Sequence, residues 1–222
     1  MSNAYFVTGT DTEVGKTFIS AALLARAKQQ GLTTAAVKPV ASGADTTPEG
    51  LRNEDGLALL KQCSLPLRYE EVNPVIFEPA IAPHIAAQKI NRTVSIDELK
   101  IYCQNVLAKK ADLTLIEGAG GWRVPVNREE TLADLAKLLQ LPIILVVGMR
   151  LGCINHAILT AEAIARDGLH LAGWVANRIT PTMNEYDENF LTLNRLIKAP
   201  CIGHVPYIKT LDPNLAIGYF TL

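Results

Sequence analysis

The amino-acid sequence predicts an α/β fold built on a mainly parallel β-sheet with helices on both faces. Three observations carry that expectation: short apolar runs recur along the chain, amphipathic helical stretches separate most of them, and glycine, proline or a charge bounds each run. Residues 5–8, 35–38, 113–117, 143–147, 171–176 and 201–205 are β-branched or apolar and read as buried strands. Helices are expected at residues 17–30, 95–109, 131–139, 155–167 and 185–197, where apolar residues gather on one face. Such alternation calls for right-handed crossovers, which leave successive strands parallel and place helices over both sides of the sheet. Ligands then collect beyond the carboxyl ends of the strands. Residues 39–91 break the rhythm, because Pro48, Pro66, Pro74, Pro79 and Pro83 surround an expected helix at 54–61 and a weak strand at Val75–Phe77. An insertion of that length often forms part of a site.

Composition narrows the function classes. Apolar residues make up 49% and charged residues 19%, enough to bury a core and too little charge for a disordered tail. No linker divides the chain, so one domain spanning residues 1–222 is expected, within the ~250 residues that single α/β domains reach. A formal charge of -1 without a Lys/Arg block argues against a nucleic-acid groove or a membrane patch. Cys63, Cys103, Cys153 and Cys201 lie far apart and form no C-x-x-C pair, which fits reduced thiols. The sequence shows no signal core and no apolar run approaching the ~20 residues of a membrane span. A cytoplasmic setting is expected, with small molecules or another subunit as partners.

The chemistry begins at the first strand. Phe6-Val7-Thr8 leads into Gly9-Thr10-Asp11-Thr12-Glu13-Val14-Gly15-Lys16-Thr17, and Phe18, Ile19, Ala22 and Leu23 then start a helical stripe. In a phosphate-binding loop of this kind, successive backbone N–H groups surround the β-phosphate and the helix N-terminus adds partial positive charge. Lys16 then reaches the β/γ oxygens of ATP, and Thr17 ligates Mg2+. The fold is accordingly expected to be P-loop NTPase-like. One departure stands out: the usual spacing puts the first glycine at position 10, where Thr10 stands, and Gly9 lies one residue earlier.

The ends of other strands supply further candidates. Lys38 closes the second strand, and Pro39 favours an extended backbone that aims the side chain across the sheet edge, although a plain surface lysine fits the same spacing. Asp55 opens a helix and Glu117 closes a strand before Gly118-Ala119-Gly120-Gly121; with Thr17 they form an all-oxygen set suited to magnesium, or else a helix-start residue and an exposed acid. Gly152-Cys153-Ile154-Asn155 opens a helix whose free N–H groups suit a substrate carboxylate, with ordinary capping by Asn155 as the alternative. Cys153 and His156 lack an orienting acid, which argues against a thiolate pair. Asn177-Arg178 follows the fifth strand and Pro206-Tyr207 the last, where they suit an adenine edge and face or are turn residues.

Taken together, residues 9–17 (GTDTEVGKT), 38–43 (KPVASG), 47–55 (TPEGLRNED), 117–122 (EGAGGW), 151–157 (LGCINHA) and 173–177 (GWVAN) resemble the dethiobiotin synthetase family over nearly the whole chain. The resemblance implies a reaction in which 7,8-diaminononanoate, CO2 and ATP yield dethiobiotin, ADP and phosphate. It implies catalytic roles for Thr12, Lys16 and Lys38, substrate contacts from Thr12 and Ser42, and Mg2+ held by Thr17, Asp55 and Glu117. The ATP contacts it implies run from Glu13 through Val14, Gly15, Lys16 and Thr17 to Phe18, then to Glu117, Gly118, Ala119 and Gly120. Asn177, Arg178, Pro206, Tyr207 and Ile208 complete them. The family uses a homodimer with a shared site, so Gly152, Cys153, Ile154 and Asn155 would receive the carboxylate of a substrate bound mainly to the neighbouring subunit. A substrate-facing tyrosine of the family aligns with Asn189, near Tyr186 and Phe190, and has no assigned counterpart. A partition-type switch ATPase is the competing reading, but such loops carry an early lysine where this chain has Asp11 and Thr12.

Overall fold

The computed structural model describes residues 3–221. The chain runs through β1 (Asn3–Gly9), α1 (Lys16–Gln29), β2 (Thr34–Val37), β3 (Val40–Ser42), β4 (Asp45–Thr47), β5 (Gly50–Arg52), α2 (Glu54–Gln62), α3 (Tyr69–Val72) and β6 (Val75–Phe77). It continues through α4 (Pro83–Lys89), α5 (Ile96–Leu107), β7 (Leu113–Glu117), α6 (Leu132–Leu139), β8 (Ile143–Met149), α7 (Cys153–Arg166), β9 (Leu171–Arg178), α8 (Tyr186–Leu196) and β10 (Cys201–Val205). A 3-10 helix at Pro213–Tyr219 follows. Among the described residues no helix is long and apolar enough to cross a membrane.

The main sheet has six strands in the order β10-β9-β8-β1-β7-β2, and every neighbouring pair is parallel. From β1 the chain crosses to edge strand β2, comes back to β7 between them, and then moves to the other side of β1 for β8, β9 and β10. Side chains alternate across this sheet. Phe6, Val37 and Ile116 pack with Leu99 of α5 and Leu135 of α6, while Val7, Ala36 and Leu115 pack with Leu23 of α1 and Leu59 of α2. Farther along, Leu145, Val147 and Trp174 meet Ala157 of α7 and Leu193 of α8. Helices therefore cover both faces, as the periodicity requires. Because α1 leaves β1 toward one face while α6 and α7 lie on the other, the loops part at the carboxyl end of β1 and open a crevice there.

Residues 39–91 carry more structure than the sequence predicts. Beside the expected helix and strand, β3 pairs in parallel with β6, β4 and β5 form a hairpin, and α3 and α4 are short helices. Strands of three residues show no measurable alternation, which explains why the sequence pattern misses them. The 3-10 helix is likewise unexpected; Asp212 caps it through the Asn214 N–H at 3.0 Å, and Ala216 packs with α1 residues. Strand β9 also outruns its expected end. Gly148 and Met149 of β8 pair with Asn177 and Arg178, so those two residues lie within the strand rather than in the turn after it.

Helix ends are chemically set. Ser95 accepts from the Glu98 N–H at 3.2 Å to cap α5, and at α6 the Asp134 carboxylate accepts from the Thr131 N–H and hydroxyl at 2.8 and 2.7 Å. Burial works against the Asp134 charge, but bonds from Lys137 and Thr131 outweigh it and hold the carboxyl at about 2. A folded-state value below the unfolded ~3.9 means that this contribution is complete above about pH 4 and is lost as pH falls toward 2. Asp134→Asn should therefore flatten the pH dependence of stability between those values, as urea titrations at stepped pH would report; an unchanged slope would refute the assignment.

Candidate functional site

The loop between β1 and α1 folds back over the sheet. Thr10 N–H donates to Val146 O at 3.0 Å, and a Cβ added at Gly9 would meet Val14 Cγ2 at 2.6 Å. The close approach demands glycine at position 9, whereas position 10 only has to supply an N–H and accepts threonine. Gly15, with φ of 84°, caps α1 in the left-handed region. Lys16 is buried and its Nζ donates to Asp11 O at 3.0 Å. Burial lowers the Lys16 ammonium to about 8, with the Lys38 charge acting in the same direction. From β9, Asn177 Nδ2 donates to Val14 O at 2.9 Å and pins the loop from beneath.

At the centre lies a four-residue cluster. Lys38, one residue past β2, places Nζ 2.7 Å from Glu117 Oε1 and 2.8 Å from Asp55 Oδ2. Thr17 Oγ1 donates to the same Glu117 oxygen at 2.6 Å. Glu117 is fully buried and the Lys38 side chain is 4% exposed, whereas Asp55 is 44% exposed and faces the crevice. Burial disfavours the Lys38 charge, yet Glu117 and Asp55 more than offset it and raise the ammonium above its ordinary value. Burial also opposes ionisation of Asp55, and Lys38 followed by Thr17 outweighs it, so the carboxyl is held low.

Among the described residues, Glu117 Oε2 and Ser42 Oγ are buried here without a hydrogen-bond partner. An orphaned buried carboxylate oxygen is costly unless a cation or donor arrives. With the Thr17 hydroxyl and the exposed Asp55 carboxylate it forms a hard, all-oxygen donor set that fits a small divalent cation such as magnesium.

The crevice encloses about 1090 Å3. Thr12, Glu13, Gly15, Lys16, Thr17, Phe18, Lys38, Ser42, Asp55, Ala119, Gly120, Asn177, Arg178, Tyr207 and Ile208 line it. Val14, Glu117, Gly118 and Pro206 do not; Glu117 reaches the cavity through Lys38 and Thr17, and Val14 is buried beneath the loop. Gly152, Cys153, Ile154 and Asn155 lie outside it, at the start of α7 beside Leu151, which is 94% exposed. Burial pushes the Cys153 thiol up, the opposite of what a nucleophile needs.

Sequence reasoning misses several participants. Arg150 Nη2 binds Asp11 Oδ2 at 2.6 Å and ties the phosphate loop to the segment before α7. Ala80, Ile81, Ala82 and Pro83, ahead of and into α4, wall the cavity near Ser42. Asn53, Tyr69 and Asn73 sit behind Lys38 and Asp55. Only Asn53 carried a local signal, as a capping residue directly before Glu54-Asp55.

Comparison with known proteins completes the picture. A family model described as an AAA domain matches residues 3–214. A protein of Pseudomonas aeruginosa (strain UCBPP-PA14) named ATP-dependent dethiobiotin synthetase BioD is 57% identical over 219 residues, covering 99% of this chain and 96% of its own. One of the same name from Cellvibrio japonicus is 54% identical over the same shares. Among solved structures, the signal recognition particle receptor FtsY from Elizabethkingia anophelis superposes with a TM-score of 0.56 at 16% identity, over 96% of this chain and 61% of that one. The 54 kDa signal recognition particle protein from Aeropyrum pernix, in complex with GDP, gives 0.57 at 15% identity, over 96% and 43%. Those two likenesses establish the P-loop NTPase-like fold, and the extent of identity with the curated relatives shows that this chain belongs to the family of ATP-dependent dethiobiotin synthetases, which are ligases.

Proposed function

We propose that this chain closes a cyclic urea on 7,8-diaminononanoate, using CO2 and Mg2+-ATP, and releases dethiobiotin, ADP and phosphate. The observation that carries this reading is Lys38, held between Asp55 and Glu117 at the mouth of the phosphate loop. One amine of the substrate adds to CO2 and loses a proton to give a carbamate. The γ-phosphoryl group of ATP passes to a carbamate oxygen, forming a mixed carbamic-phosphoric anhydride as the bond to ADP breaks. The second amine attacks the carbonyl carbon and expels phosphate, which carries off the proton the amine loses, and no protein nucleophile is needed.

Phosphoryl transfer depends on alignment and on stabilising charge spread over the phosphate oxygens. Lys16 and Lys38 serve that end as fixed positive charges beside the triphosphate and the carbamate. Their presence also lowers the pKa of a substrate ammonium and so favours the free amine. Thr12 and Ser42 orient the substrate; the orphaned Ser42 hydroxyl supports this role. Thr17, Asp55 and Glu117 would hold Mg2+, which when bound neutralises charge on the β- and γ-phosphates. Glu13 to Phe18, Glu117 to Gly120, Asn177, Arg178 and the segment from Pro206 to Ile208 form the ATP site. In a homodimer, Gly152 to Asn155 receive the substrate carboxylate from the neighbouring subunit; their place outside the cavity of their own chain supports that reading. The chain is read as one catalytic domain working in the cytoplasm.

Release of ADP from ATP that requires both the diamine and bicarbonate tests the reaction; release indifferent to the diamine would reject it. Lys38→Ala should lower kcat by ~10²-fold or more, by analogy with loss of an oxyanion donor. Near-normal turnover of that variant would remove Lys38 from the chemistry. Co-expressed Lys38→Ala and Asn155→Leu chains should recover activity that neither has alone, because one of the two sites in a mixed dimer escapes both changes. Failure to recover it in a purified mixed dimer would mean the site is not shared.

A further inference from the structure

Lys38 is held by its backbone as firmly as by its ammonium. Its N–H donates to Val72 O at 2.6 Å, and its carbonyl accepts from Asn73 Nδ2 at 2.7 Å. Asn73 is fully buried and its Oδ1 accepts from the Tyr69 hydroxyl at 3.1 Å. That hydroxyl in turn accepts the Asn53 N–H at 2.7 Å. Asn53 then reaches two ways: its Oδ1 accepts from the Asp55 and Gly56 N–H groups at 3.1 and 3.4 Å, and its Nδ2 donates to Gly43 O at 2.9 Å and Ser42 O at 3.3 Å. An unbroken series of hydrogen bonds therefore runs from the Lys38 peptide to the helix turn carrying Asp55 and the strand end carrying Ser42.

Two buried amides and a buried phenol are an expensive way to fill a core, and a partly satisfied network is worse than none. This one is connected throughout, and three of the residues at its ends, Lys38, Ser42 and Asp55, line the crevice. The Arg52 guanidinium stacks over the Tyr69 ring at 4.2 Å, and a Cβ at Gly56 would come within 2.8 Å of Asn73 Oδ1. Residues of β5, α2, α3 and the helix ends beside them thus converge on one arrangement.

We propose that Asn53, Tyr69 and Asn73 are positioning residues that fix the spacing between Lys38 and Asp55 and so set how the site takes up its divalent cation, an assignment that rests on the functional reading above. The relay acts through Lys38 and Asp55 and touches no substrate itself.

Tyr69→Phe keeps the ring and removes only the hydroxyl, which leaves the Asn53 N–H and Asn73 Oδ1 unpaired. It should lower kcat by ~10-fold and raise the Mg2+ concentration for half-maximal rate by ~10-fold or more, in the range seen for lost outer-shell partners of metal ligands, with little change in KM for the diamine. Gly56→Ala, which displaces Asn73 while keeping the Asn53, Tyr69 and Asn73 side chains and the position-56 N–H, should shift both parameters in the same direction. Leu135→Ala in α6 supplies a variant that loses stability in the core but leaves kcat and the Mg2+ requirement at their original values. The proposal is overturned if folded Tyr69→Phe keeps the original kcat and Mg2+ dependence, or if Leu135→Ala reproduces its losses. Should the unaltered chain fail to turn over the diamine, the functional reading fails, and the Mg2+ dependence of ATP binding by Tyr69→Phe against the unaltered chain still decides the relay.

Discussion

The structure is organised around a buried ammonium: Lys38, pressed between Glu117 and Asp55 within 3 Å of each. Burying the Lys38 ammonium against the Glu117 carboxylate costs several kcal/mol per ion, and replacing such a buried pair by apolar side chains is often neutral or stabilising. Stability alone therefore gives no reason to keep it. The charges are retained at the one place where the loops of β1, β2 and β7 converge, with the Thr17 hydroxyl bonded to the same Glu117 oxygen.

Sheet topology supplies the convergence. Strand β1 delivers the phosphate loop, and its neighbour β7 delivers Glu117 at its last residue. Edge strand β2 delivers Lys38 one residue past its end. Asp55 comes from outside the sheet, on α2, and that element is placed by the hairpin and short helices of residues 39–91. The rigid part of the site thus comes from parallel strands in fixed register, while the carboxylate that faces solvent comes from the insertion. Asn177 and the Val146 carbonyl then fasten the phosphate loop to β9 and β8, and Arg150, one residue past β8, adds an ion pair to Asp11.

How much of this could be read in advance follows from the range of each interaction. The main strands are legible because β-branched runs alternate with helical stripes, and Lys16, Thr17, Lys38, Asp55 and Glu117 are legible because each ends a strand or opens a helix. Strands β3, β4 and β5 are not, since three residues hold too little pattern, and the extra length of β9 depends on where its neighbour β8 stops. The Asp11–Arg150 pair joins residues 139 apart, with no local mark on either. Tyr69 and Asn73 look like ordinary members of a short helix end; their significance arises only once Lys38 and Asn53 are brought against them.

Lys38 and the two carboxylates seated on it form a cluster that carries its own counter-ions. A bare inorganic anion approaching Lys38 must compete with the carboxylates already seated on that ammonium, and gains little. On the functional reading proposed above, Asp55 and Glu117 would hold a cation that accompanies a polyphosphate, and Lys38 would then face the phosphates. Discrimination against lone anions is thus built into the charge balance around Lys38.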